Sequence, residues 1–255
     1  MKPTRNPFIA VRALSLAVFA VFGIVLVAPV ADAAVSTWIG DTSADLGGSN
    51  WTGTNNPPLS GDSWVFGTLG IAGATLNNNL TALNSVAGIT FNAGGSAYTI
   101  GGNAITLIGN ITDNFVGTET LNFNIATTAV RTLTTATGST LVLGGNVSGT
   151  GGGLIAAGAG TLNLTGANTY TGATQVNSAV NITGTGYINS GSSLSAGSAA
   201  TGVLGYSSSG TSTLGSIVLG TGSGNGTLNQ SAGTINATSL TMNNALGRRG
   251  IYNLS

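Results

Sequence analysis

Beyond residue 70 the chain alternates short apolar pieces with clusters of Gly, Asn, Ser and Thr. Ala104-Ile105-Thr106-Leu107, Ser139-Thr140-Leu141-Val142-Leu143, Thr161-Leu162-Asn163-Leu164 and Ser239-Leu240-Thr241-Met242 each place apolar side chains at i and i+2. That spacing puts them on one face of a β-strand, with polar side chains on the other. The clusters on either side are turn signals. Helical periodicity is absent from residue 34 onward. The pattern predicts an all-β chain of many short strands.

The pieces also resemble one another. ITLIGNIT (105–112) parallels LVLGGNVS (141–148), and GTLNLTG (160–166) parallels GTLNQSAG (226–233), which GTINATS (233–239) echoes. One strand-turn unit recurs roughly every 20 residues, as a solenoid requires. The unit varies in length, which suits a parallel β-helix: corners change while inward positions stay in register. In that fold coils stack about 4.8 Å apart, and no coil can bury its apolar face alone. Gly supplies positive φ at corners, and Asn tolerates it.

The first 33 residues are of another kind. Lys2, Arg5 and Arg12 precede the apolar run Ala13–Val27, Pro29 breaks it, and Ala31-Asp32-Ala33 offers a small-residue cleavage site. These are the regions of a helical secretory signal peptide, which we assign to residues 1–33. Residues 34–70 carry all three tryptophans, Trp38, Trp51 and Trp64. An open stack of strands must cover its first edge, and large aromatic side chains bury much area in so polar a chain. We therefore expect 34–70 to be an N-terminal capping region and 71–255 to be the β-helix; a platform for stacking sugar rings is the competing use of the tryptophans. The ending Gly250–Ser255 reads as a strand entering another coil, hence as a truncated solenoid.

Charge then narrows the function. Only 5% of residues are charged, and past the leader three arginines (Arg131, Arg248, Arg249) face five carboxylates (Asp41, Asp45, Asp62, Asp113, Glu119), with no Lys. Nucleic acid needs clustered cations, and this chain offers none. With no His and no Cys, Ser-His-Asp and Cys-based catalysis, ordinary zinc sites and disulfides are all excluded. GTGSGNGT (220–227) is Gly-rich but lacks a strand-to-helix context, so it reads as a corner. Parallel β-helices do host polysaccharide-active enzymes, and among the five carboxylates Asp113 and Glu119, close in sequence, are weighed for such chemistry. We expect that pair on a surface turn between strands. Calcium at Asp41, Asp45 and Asp62 is weaker than a reading of these residues as solvated loops.

One stretch matches a known pattern. GAGTLNLTGANTYTGATQVNSA resembles the autotransporter-associated β-strand repeat, also called the passenger-associated transport repeat. The matching positions are Gly158, Gly160, Leu162, Leu164, Gly166, Asn168, Tyr170, Gly172, Thr174 and Val176, a structural motif within residues 158–179. The resemblance implies a right-handed parallel β-helix carried across the outer membrane of a Gram-negative bacterium. It implies the export machinery (Sec and an outer-membrane barrel) as partners. The combined expectation is a secreted or cell-surface passenger of adhesin or matrix type. It would be non-catalytic, without cofactor or metal, and would make multivalent contacts with surface glycans or proteins. The alternatives are a stalk for a further domain and a polysaccharide-active enzyme.

Overall fold

The structure, a computed structural model, describes residues 33–81, 84–189, 191, 193–243 and 247–255. The signal peptide assigned to 1–33 lies outside the described residues, except for Ala33. Among the described residues every regular element is a strand. The strands wind into a parallel β-solenoid of about 8 turns.

Each coil lays one strand on a 13-stranded sheet, rounds a corner, and lays the next on a 9-stranded sheet. Ile105–Asp113 is followed in this way by Gly117–Leu121, Val130–Thr135 by Ser139–Leu143, and Gly153–Gly158 by Thr161–Leu164. Two-residue strands such as Val147–Ser148 and Ala167–Asn168 form a short connecting side. Pairing is parallel throughout, except where Val35–Trp38 meets Trp51–Gly53 antiparallel.

Register explains the uneven sequence period. Thr90, Thr112 and Thr134 stack at a spacing of 22 residues. The spacing falls to 18 between Leu164 and Ile182 and rises to 25 between Val65 and Thr90. Corners absorb the difference, so the inward columns stay aligned. Leu141, Leu162, Val180, Leu204 and Leu228 form one such column, each at most 2% exposed. Burying a Leu or Val side chain is worth about 1.5–3 kcal/mol, so five stacked coils share a core that no single coil could supply.

The two ends differ. Near the first coils, Trp38 and Trp51 meet edge-on at 5.1 Å, and Phe66 stacks on Phe91 at 5.3 Å. Trp51 Nε1 donates to the Leu46 carbonyl at 2.7 Å. All three tryptophans are buried, so none presents a face on which a sugar could stack. In the last coil Leu240 and Met242 are exposed, although they pair with the buried Ile217 and Leu219. Gly250–Leu254 does extend the second sheet, pairing with Gly226–Gln230.

Candidate functional site

The coil that carries the repeat pattern gives every motif residue a place in the stack. Leu162, Leu164 and Val176 point inward and are buried. Gly158 ends its strand at φ +93°, a conformation that L side chains rarely adopt, and Gly160 completes the same corner. At Gly166 a Cβ would collide with the carbonyl oxygen of Gly145 one coil below. Gly172 lies against Gly152 in the same way, so these glycines let successive backbones approach.

Asn168, fully buried, joins three coils. Its Oδ1 accepts from the Val147 amide at 3.0 Å, while Nδ2 donates to Gly166 O at 2.9 Å and Tyr187 O at 3.1 Å. Tyr170 is also buried, its hydroxyl 2.7 Å from Thr174 Oγ1. Burial raises the Tyr170 pKa, the Thr174 contact opposing, so the phenol stays neutral. These side chains hold coils together and offer nothing to solvent.

Asp113 and Glu119 do not sit on a surface turn, as the sequence led us to expect: both are fully buried. Asp113 closes Ile105–Asp113, in register between Phe91 and Thr135, and Glu119 stands in register with Leu141 across the next corner. Inward alternation drives this, because Asp113 follows Ile111 and Glu119 precedes Leu121 at i+2 spacing. Asp113 Oδ1 accepts from the Phe115 amide at 3.1 Å, and Glu119 Oε2 from the Tyr98 amide at 2.6 Å. The second oxygen of each, Asp113 Oδ2 and Glu119 Oε1, is buried without a hydrogen-bond partner. Burial pushes the Asp113 carboxyl up to about 6, the Phe115 amide opposing. Burial pushes Glu119 up to about 8, with the Tyr98 amide opposing and the Asp113 charge adding. The neighbouring Tyr98 phenol rises to about 12, through burial and then through Glu119.

Of the carboxylates read as solvated loops, Asp41 is exposed, whereas Asp62 is buried, because three donors close on its carboxylate. Asp62 accepts from Ala34 N, Asn55 Nδ2 and Leu59 N, and Asp45 accepts from Asn77 Nδ2. Among the described residues no three His, Cys, Asp or Glu side chains gather as a metal would require. Arg131 Nε donates to Thr127 Oγ1, and the backbone of Arg249 to Asn225 Oδ1. Of residues 220–227, read as a corner, 220–225 form one, and Gly226 and Thr227 begin the strand Gly226–Gln230.

The outer faces carry asparagine ladders. Asn181 Nδ2 donates to Asn163 Oδ1 at 3.0 Å, and Asn253 Nδ2 to Asn229 Oδ1 at 2.8 Å. Asn124 and Asn146 instead accept amides of the following coil, from Asn146 and Ala167.

Residues 154–180 match the family model described as the passenger-associated-transport-repeat. The match contains all ten positions of the motif, Gly158 to Val176, so it coincides with the coil that Asn168 pins together. A transport repeat of this kind on a parallel β-solenoid fits an autotransporter passenger. No curated protein and no solved structure matches the chain.

Proposed function

We propose that this chain is an exported passenger of adhesin or matrix type, wound right-handed, that acts through its outer faces and carries out no catalysis. The observation that carries the reading is the passenger repeat forming one coil of a continuous stack, with the coils on either side in register. A stiff solenoid repeats its outer Asn and Thr positions at coil spacing. Contacts that are weak singly gain from such repetition. In this reading residues 34–70 cap the first edge, and Sec and an outer-membrane barrel carry the chain out.

Access argues for the non-catalytic part. A glycosidase needs two carboxylates flanking a scissile bond. Asp113 and Glu119, the pair weighed for such chemistry, are closed inside the coil, where a polysaccharide cannot reach.

The test is surface display in a Gram-negative host, followed by binding to arrays of glycans and of extracellular matrix proteins. The expected result is protease-accessible chain on intact cells and binding that strengthens steeply with chain density. Chain retained inside cells that hold a functional export barrel would overturn the export reading. Polysaccharide cleavage lost on Asp113→Asn would overturn the non-catalytic one.

A further inference from the structure

The coil formed by Ile105–Asp113 and Gly117–Leu121 contains two carboxyl groups that a solenoid core ordinarily excludes. We propose that Asp113 and Glu119 form a buried proton-binding site, which takes up a proton from solvent as the coil closes and makes the solenoid more stable in acid than in alkali. The geometry is specific. Each carboxyl spends one oxygen on a backbone amide, from Phe115 and from Tyr98, and leaves the other buried and unpartnered. A carboxylate oxygen can only accept, whereas a protonated one donates. A bound proton therefore turns an orphaned acceptor into a donor and removes a charge from the interior.

Among the described residues no cation is paired with either carboxyl. Asn84–Phe91 and Ser139–Leu143, which flank the pair, contain no titratable side chain, and neither does Ile125–Ala126. Next to Thr99–Gly102 stands Tyr98, a phenol that stays neutral until strongly alkaline pH. On Val130–Thr135 the single charged group is Arg131, whose Nε donates to Thr127 Oγ1. Among the described residues the ionised group that acts on Glu119 is thus another carboxylate, Asp113, and like charges favour retention of a proton.

The sign follows from linkage. Both carboxyls titrate higher in the folded chain than when unfolded, so between about pH 4 and pH 8 the folded chain holds more protons. Stability is full below the unfolded carboxyl range. It is lost as pH rises through about 6 and then about 8.

The experiment is equilibrium urea unfolding of the full chain from pH 4.5 to 9, for wild type and Glu119→Gln. The glutamine keeps an acceptor for the Tyr98 amide and offers a fixed N–H donor in place of the proton. We expect the wild-type folding constant to be at least about 100-fold larger at pH 5 than at pH 8.5, and most of that difference to vanish in Glu119→Gln. A flat wild-type profile would overturn the proposal. So would stabilisation of wild type at pH 8.5 by Ca²⁺ or Na⁺ that Glu119→Gln abolishes, since the site would then hold a cation. Should Glu119→Gln fail to fold, infrared spectra of folded wild type decide: a neutral-carboxyl band at pH 6 that bleaches by pH 9 supports the proposal, and its absence at pH 6 overturns it.

Discussion

The coil around residues 153–168 and the coil around residues 105–121 share one pairing scheme, yet they handle interior polarity in opposite ways. In the first, the buried polar residue is Asn168, and its amide makes three hydrogen bonds, all to backbone. In the second, Asp113 and Glu119 make one each and leave an oxygen unpartnered. A solenoid interior thus accepts a polar side chain in two ways. It can complete the backbone bonding of neighbouring coils at any pH, or it can depend on a proton. The first kind of coil coincides with the transport repeat, whose neutral motif residues leave nothing to titrate near neutrality.

Substitutions that give the first coil the character of the second break the comparison most severely. Leu164→Asp would place an unpaired carboxyl between the buried Leu143 and Ile182, with no amide waiting for it. A loss above about 4 kcal/mol is expected, enough to abolish the cooperative thermal transition seen by circular dichroism. Next in size is Asn168→Ala. It orphans the Val147 amide and takes one hydrogen bond each from the Gly166 and Tyr187 carbonyls, the first of which still accepts from the Tyr187 amide. We expect about 3 kcal/mol of destabilisation by urea unfolding, unchanged between pH 5 and 8.5.

Much of this was legible in the sequence, and where it was not the reasons are physical. Residues Ser139–Leu143 and Thr161–Leu164 appear as strands at the bounds that alternation gives, because apolar i, i+2 spacing needs only local information. The likeness of 160–166 to 226–233 is a true stacking relation, since Leu162 and Leu228 share a column. The likeness of 105–112 to 141–148 is not. The first segment lies wholly on one sheet, while the second starts on the other and continues into the strand Val147–Ser148. Short segments of similar composition serve either sheet, and register is a tertiary property. Asp113 and Glu119 are buried although charge favours the surface, because the alternation of their strands turns them inward. The parity of Ile111 with Asp113, and of Glu119 with Leu121, already pointed inward. Asn168 was legible as a motif position, but its three partners come from flanking coils and its own corner.

The second coil can be moved toward the first by removing charge while keeping shape. In Asp113→Asn the side-chain oxygen still accepts from the Phe115 amide, and the charge that helps to raise Glu119 is gone. At pH 8.5 this variant should be about 1–2 kcal/mol more stable than wild type, because only one carboxylate then has to be buried ionised. Its remaining alkaline loss should centre below the wild-type value of about 8. A midpoint that stays put in urea titrations would mean that the two carboxyls do not sense each other.

The smallest effect comes from a hydroxyl. Tyr170→Phe removes the 2.7 Å contact with Thr174 Oγ1 and leaves the buried ring in place. A single neutral hydrogen bond is worth about 1 kcal/mol net, so a loss of that size is expected, equal at pH 5 and pH 8.5. Tyr98→Phe is its counterpart in the acid-bearing region, where the hydroxyl donates to Thr68 O at 3.0 Å. The Glu119 contact of this residue runs through its backbone amide, which phenylalanine retains. Tyr98→Phe should therefore cost a similar amount while preserving the wild-type slope of stability against pH. If that slope flattened instead, the pH response would belong to the phenol and not to the carboxyls, and the contrast between the two coils would need another basis.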